Sequence, residues 1–184
     1  MKRRIFSTLI ILISVVFNIK AERYYYFDHL TTTDGLQSNT IYCTMQDCNG
    51  FIWIGTKDGG LNYSGTYQNN FEKQYIAEGI SLRGVLVSGF AEDDNGCIWV
   101  ATEEMGFLRY DPATHTTTQY RHDSIPSRIC SVCHHNGSLW FGTRIGLFKL
   151  DIKSGNVKKY GIPYLNLYLC KRLVDNCLWD EKNN

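Results

Sequence analysis

The chain reads as an all-β protein, and three observations carry that expectation. One stretch recurs along it. Asp47-Cys48-Asn49-Gly50-Phe51-Ile52-Trp53-Ile54-Gly55-Thr56 returns as Asp93-Asp94-Asn95-Gly96-Cys97-Ile98-Trp99-Val100-Ala101-Thr102 and again as His135-Asn136-Gly137-Ser138-Leu139-Trp140-Phe141-Gly142-Thr143. A fourth copy starts at Asp175-Asn176-Cys177-Leu178-Trp179. The tryptophans stand 46, 41 and 39 residues apart, and a period of about 40 residues marks a repeat architecture. Secondly, 12 Tyr, 9 Phe and 4 Trp with only 3 Pro suit β-strands, and no long segment of helical period competes with them. Thirdly, an Asn-Gly pair precedes the aromatic run in all three full copies, the strongest short hairpin signal a sequence offers.

Each part of the repeat has a local reason. Asn49-Gly50, Asn95-Gly96 and Asn136-Gly137 predict type I′ turns, because Asn and Gly accept the two positive-φ positions such a turn needs. Asp175-Asn176 fills that slot in the fourth copy, and both residue types tolerate the left-handed conformation. Asp47, Asp93, Asp94 and Asp175 beside the turns are expected to accept turn N–H groups rather than to act as acid and base. The run after the turn is aromatic and β-branched, as in a strand buried on both faces. Trp53, Trp99, Trp140 and Trp179 are therefore expected as packing residues of the repeat core. Gly55, Ala101 and Gly142, which follow, leave room for a close neighbour.

In chain order, residues 1–21 join Lys2-Arg3-Arg4 to an apolar run from Ile5 to Phe17 and end on Ala21. That is the pattern of a secretory signal cut after Ala21, with an uncleaved anchor as the alternative. Residues 22–34 hold a strand candidate, Tyr24–Phe27, and a lead-in. Residues 35–78 form a first unit with strands Ile41–Asp47, Phe51–Thr56, Gly60–Tyr63 and Phe71–Tyr75. Residues 79–123 give Val87–Asp93, Cys97–Thr102, Gly106–Tyr110 and Thr116–Tyr120. Residues 124–160 give Ile129–His134, Ser138–Thr143, Gly146–Leu150 and Val157–Tyr160, and residues 161–184 begin a fourth unit with Leu167–Val174. Four short antiparallel strands per repeat is the blade of a β-propeller. The expected fold is thus a partial propeller of three four-stranded blades plus part of a fourth, which cannot close its own ring. Its uncovered ends should associate with further blades or with other copies of the chain.

Composition excludes some functions. A net charge of +1 with 20% charged residues lacks the basic balance that nucleic acid requires. No segment beyond the signal is suited to crossing a membrane as a helix. Seven cysteines cannot all pair within one chain, and their scatter suits small buried hydrophobes.

Phe27-Asp28-His29-Leu30, the run Asp34-Gly35-Leu36-Gln37-Ser38-Asn39-Thr40-Ile41, and Gln46-Asp47, Gly50 and Trp53-Ile54-Gly55-Thr56-Lys57-Asp58-Gly59 resemble the opening of the two-component regulator propeller repeats. Glu92-Asp93, Trp99, Thr102-Glu103 and Leu108-Arg109-Tyr110-Asp111-Pro112-Ala113-Thr114 continue the likeness. The resemblance implies the periplasmic sensor part of a hybrid two-component system of the kind found in Bacteroidetes, which responds to products of polysaccharide breakdown. In that family the repeats precede a further β-domain, a membrane helix, a histidine kinase and usually receiver and DNA-binding modules. None of these falls within the 184 residues, so the chain is expected to be a ligand-sensing fragment without an output domain. Arg144-Ile145-Gly146 departs from the pattern by lacking an acidic residue before its glycine, and Asp180-Glu181 replaces the small residue and threonine expected after Trp179.

Cys130-Ser131-Val132-Cys133-His134 has the letters of a c-type haem attachment site. Alignment of Ile129 with Ile41 places it in an inner strand, where residues three apart point to opposite faces, so neither haem nor a metal is expected there. No phosphate loop, nucleophile elbow or metal-binding helix is present, and the chain is expected to be neither an enzyme nor a cofactor protein. In a propeller the loops before the first strand of each blade surround one mouth of the channel. Asn39, Arg83 and Arg128 lie in those loops and suit hydroxyl- or carboxylate-bearing ligands such as an oligosaccharide. The alternatives are a truncated gene product without function of its own and a piece of a propeller lyase or glycan-active enzyme. A sugar site should show exposed aromatics with amide or Arg side chains, whereas a lyase should pair a His with a carboxylate near the axis.

Overall fold

The computed structural model describes residues 29–34, 36–58, 61–64 and 84–160. The described residues hold a short 3-10 turn, Thr32–Asp34, and eleven strands. These are β1 (Ile41–Gln46), β2 (Ile52–Thr56), β3 (Leu61–Ser64), β4 (Val87–Glu92), β5 (Ile98–Thr102), β6 (Phe107–Asp111), β7 (Thr116–Tyr120), β8 (Ile129–His135), β9 (Ser138–Thr143), β10 (Gly146–Asp151) and β11 (Val157–Tyr160). They form three antiparallel sheets in sequence order, β1-β2-β3, β4-β5-β6-β7 and β8-β9-β10-β11. The chain is all-β with successive propeller blades, as its repeats predict. The expected signal segment, the strands Tyr24–Phe27, Phe71–Tyr75 and Leu167–Val174, and the residues Arg83 and Trp179 lie outside the described residues.

Each inner strand carries a bulge at the same place. The register shifts between Ile41 and Cys43, between Val87 and Gly89, and between Ile129 and Ser131. An extra residue bends and twists a strand locally, and here Tyr42, Ser88 and Cys130 are the extra residues. Ser88 donates its hydroxyl to the Ile129 carbonyl at 2.6 Å, which links the inner strands of two blades. β4 lies against both β1 and β8. Gly55 of β2 also faces β4, where a Cβ would stand 2.5 Å from Sγ of Cys43 and 2.8 Å from Cγ1 of Val87.

The core lies between blades rather than within them. Trp53 of the first blade packs with Val87, Phe90, Ile98, Val100, Leu108 and Tyr110 of the second. Trp99, Ala101 and Phe107 of the second blade meet Ile129, Leu139, Phe141 and Phe148 of the third. So the tryptophan faces of the first and second blades pack against mixed aliphatic and aromatic faces of the blades that follow them. Trp53 is 2% exposed and Trp99 1%, and burying an indole of this size is worth about 4–6 kcal/mol as an upper bound. Trp140 is half-buried, against the Tyr160 ring at 5.3 Å and the Lys149 ammonium at 5.1 Å. Ile52 of the first blade is 42% exposed, whereas Ile98, its counterpart in the second, is fully buried.

Candidate functional site

At one rim of the blades run the loops that lead into the inner strands. Thr102 and Thr143, each ending a second strand, are almost fully buried and donate their hydroxyls to the carbonyls of Gly106 and Gly146, both at 2.9 Å. In return they accept from the N–H groups of Met105 and Ile145. This buried threonine shapes the turn between the second and third strands. Asn39 is exposed, and its Oδ1 accepts from the Thr32 N–H at 2.9 Å. Arg128 reaches back to the second blade, with Nε 3.7 Å from the Glu103 carboxylate and 3.5 Å from the Glu103 carbonyl. The pair is exposed enough to add little stability. Its effect is to hold the guanidinium beside the turn that follows Thr102.

The opposite rim carries the hairpins, and here the geometry corrects an expectation. In the first two blades the Asn-Gly pairs do not form type I′ turns. The Gly50 N–H donates to the Asp47 carbonyl at 3.0 Å and the Gly96 N–H to the Asp93 carbonyl at 2.9 Å. Gly50 and Gly96 have positive φ while Asn49 and Asn95 do not. Each loop therefore has three residues, a four-residue turn closed by a glycine bulge. Among the described hairpins of this kind, the third blade alone forms the two-residue turn, with φ of 47° at Asn136 and 67° at Gly137.

The aspartates that precede the longer loops do more than brace the turn. Asp47 Oδ1 accepts from the Asn49 and Phe51 N–H groups, and its Oδ2 accepts from the Trp53 indole at 3.0 Å. Asp93 repeats this with Asn95, Cys97 and the Trp99 indole, the last at 2.8 Å. A buried indole N–H needs an acceptor, and the turn supplies it. The blades are also latched across this rim, since Glu92 Oε2 accepts the Cys48 N–H at 2.9 Å. The Glu92 carboxylate, first through a hydrogen bond, holds the exposed Cys48 thiol above its ordinary pKa. Burial, then the Asp93 charge, pushes the Cys97 thiol up, while Arg109 opposes it.

Between the second and third blades this rim opens into a cleft of about 630 Å³. Trp99 and Tyr120 lie at its base, their rings 5.2 Å apart and edge to face. Arg109 lines it, with Nε 3.9 Å from Asp93 Oδ2, Nη2 donating to Cys97 Sγ at 2.9 Å and its guanidinium 5.9 Å from the Trp99 ring. Ile152 and Lys153, within the turn from Asp151 to Ser154, also line it. The Ser154 hydroxyl and then its N–H, both donating to Asp151 Oδ1 at 2.7 Å, hold the Asp151 carboxyl below its usual range. His134 enters from β8, with Nε2 3.7 Å from Asp94 Oδ2. That nitrogen is buried and has no hydrogen-bond partner.

The haem-like letters fall in β8, an inner strand as expected, but strict alternation does not run through them because Cys130 is the bulge residue. Among the described residues no three His, Cys, Asp or Glu side chains gather to hold a metal ion. The His134–Asp94 pair stands on the hairpin rim, not at the start of an inner strand. Sequence reasoning missed the indole acceptors and the cleft. Asp47 and Asp93 each stand six residues before a tryptophan, a spacing that held the first signal, whereas Arg109, Tyr120 and Lys153 belong to no motif.

Residues 35–58 and 81–104 match the family described as two component regulator propeller. Both matches take in an inner strand, its hairpin and the buried threonine, Thr56 or Thr102. Among solved structures, the extracellular domains of two proteins described as hybrid two component systems of B. thetaiotaomicron have the same fold. One shares 23% identity over 77% of this chain and 18% of its own, with a TM-score of 0.63. The other shares 23% over 73% of this chain and 20% of its own, with a TM-score of 0.62. Virginiamycin B lyase of Staphylococcus aureus shares 16% over 72% of this chain and 44% of its own, at a TM-score of 0.57. The chain thus spans about a fifth of these two extracellular domains. No curated protein matches it.

Proposed function

Because this chain carries two component regulator propeller repeats, we propose that its blades belong to the ligand-sensing propeller of an exported two-component sensor. The observation that carries this reading is the placement of the family match on equivalent parts of two successive blades, residues 35–58 and 81–104. The signal-like residues 1–21 support a periplasmic location. A binding role is supported by the described mouth side chains Asn39 and Arg128, which offer an amide and a guanidinium for hydrogen bonds to a polar ligand. The ligand is an oligosaccharide with acidic groups, met at the mouth by Asn39, Arg83 and Arg128. Further blades, or other copies, cover the end of the stack where Ile52 is exposed.

Calorimetry of the purified chain with oligogalacturonides tests this. Saturable binding that weakens in the Asn39→Ala, Arg83→Ala, Arg128→Ala triple variant is the expected result. Cleavage of the saccharide by the purified chain would turn the assignment toward the lyase-like alternative. Undiminished binding by the triple variant would remove these three residues from the site.

A further inference from the structure

The two blade interfaces use one position in opposite ways. In the first, Glu92 on the inner strand of the second blade accepts the N–H of Cys48 in the hairpin of the first, at 2.9 Å. His134 pairs with Leu139 as Glu92 pairs with Ile98, so it holds the same position on the third blade. Asp94 corresponds to Cys48. Here the latch is open, because His134 Nε2 stands 3.7 Å from Asp94 Oδ2 without a hydrogen bond. The third hairpin is also one residue shorter and places Gly137, which has no side chain, at the edge. The cleft lies between these differences.

From this we infer that the cleft between the second and third blades is a second binding site, for a neutral, hydroxyl-rich small molecule such as a sugar ring. Its volume of about 630 Å³ is within the range of about 300–1,000 Å³ for small-molecule sites. Tyr120 is half-buried at the base and gives an apolar ring face, whereas Trp99 is 1% exposed and serves as its support. Around the opening stand groups of both signs, Arg109 and Lys153 against Asp94, with the amide of Asn95 between. A carboxylate ligand would meet Asp94 and a cation would meet Arg109 and Lys153. Hydroxyl groups satisfy both sets, since each donates and accepts. The Asp94 side chain is 73% exposed and free to turn aside. Its movement lets one ligand hydroxyl close the hydrogen bond that His134 Nε2 lacks. The site is on the rim opposite Asn39 and Arg128 and does not depend on the sensor reading.

The test is saturation-transfer NMR on the full chain with cellobiose, maltose and glucuronate as probes, at concentrations into the millimolar range. At least one neutral disaccharide should bind saturably. Thr118→Trp, which plugs the cleft from an exposed position on β7, should abolish that binding, and Asp94→Ala should weaken it about tenfold. Melting curves identify any variant that fails to fold, in which case Lys153→Ala replaces it. An Asn39→Ala, Arg128→Ala double variant should bind the disaccharide normally. Binding of glucuronate alone would overturn the inference, as would binding by neither disaccharide. So would disaccharide binding that survives the plug and is lost with the mouth residues.

Discussion

The hairpins of the second and third blades contain the same Asn-Gly pair and are built on different supports. In the second, one carboxylate accepts two backbone N–H groups and the indole of Trp99, so Asp93 joins the turn to the inter-blade core. In the third, Asn136 and Gly137 both take positive φ, with His135 opposite Ser138, and the Gly137 carbonyl accepts the Ile152 N–H at 3.1 Å. The difference follows the burial of the tryptophan. Trp99 is sealed between blades and its N–H must be met inside the protein, whereas Trp140 is half-buried beneath the Lys149 ammonium. The carboxylate thus belongs to the interface more than to the turn. If so, substitutions should separate the two blades in a definite order.

The largest separation is expected at the indoles. Trp99→Ala should destabilise the chain by about 3–5 kcal/mol, the range for removing a large buried aromatic. Trp140→Ala should cost about 1–2 kcal/mol, since part of its surface is already in water. Urea unfolding of the two variants measures this, and equal losses would break the comparison. Next comes the acceptor. Asp93→Ala leaves three N–H groups without their partner and should cost about 2–4 kcal/mol, and Asp47→Ala should behave alike because Trp53 is held in the same way. A loss below about 0.5 kcal/mol at either site would show that water replaces the carboxylate.

Strand placement was legible because the tryptophan interval acts as a ruler. Thr116–Tyr120, Ser138–Thr143 and Val157–Tyr160 lie where the repeat puts them. The turn type was not legible from Asn-Gly alone, because the pair serves equally as the two central residues of one turn and as the end of a longer loop. The distinguishing signal was upstream. Ile129 stands seven residues before Asn136, whereas Ile41 and Val87 stand eight before Asn49 and Asn95. The bulges at Tyr42, Ser88 and Cys130 have no local signature, since they answer to the neighbouring blade. The cleft was hidden for a similar reason. Arg109, Tyr120, His134 and Lys153 are far apart in sequence and come together only when two blades pack.

A smaller effect distinguishes the turns themselves. Asn136 has φ of 47° and Asn95 does not have positive φ, so Asn136→Ala forces an ordinary side chain into the left-handed region at a cost of about 1–2 kcal/mol. Asn95→Ala should stay within about 0.5 kcal/mol. Thermal unfolding resolves the pair, and a reversed order would mean that the Asn95 side chain supports its loop in a way the backbone geometry does not reveal.

The smallest effect is chemical and sharpens the contrast between the closed latch of the first interface and the open one of the second. Glu92 holds the Cys48 thiol above its ordinary pKa, mainly through their hydrogen bond and with help from its charge. Only the thiolate attacks an alkylating reagent, so at mildly alkaline pH the exposed Cys48 should react slowly for a surface thiol. Glu92→Gln removes the charge yet keeps an oxygen that can accept the Cys48 N–H, so the latch should persist while the thiol pKa falls. Alkylation at Cys48, followed by mass spectrometry, should then become faster with no change in melting temperature. Cys97 is an internal control, since its thiol is raised first by burial, which Glu92→Gln leaves in place. An unchanged rate at Cys48 would mean that the charge of Glu92 does not govern the thiol. A faster rate with a lower melting temperature would mean that the latch itself had opened, making the first interface resemble the second.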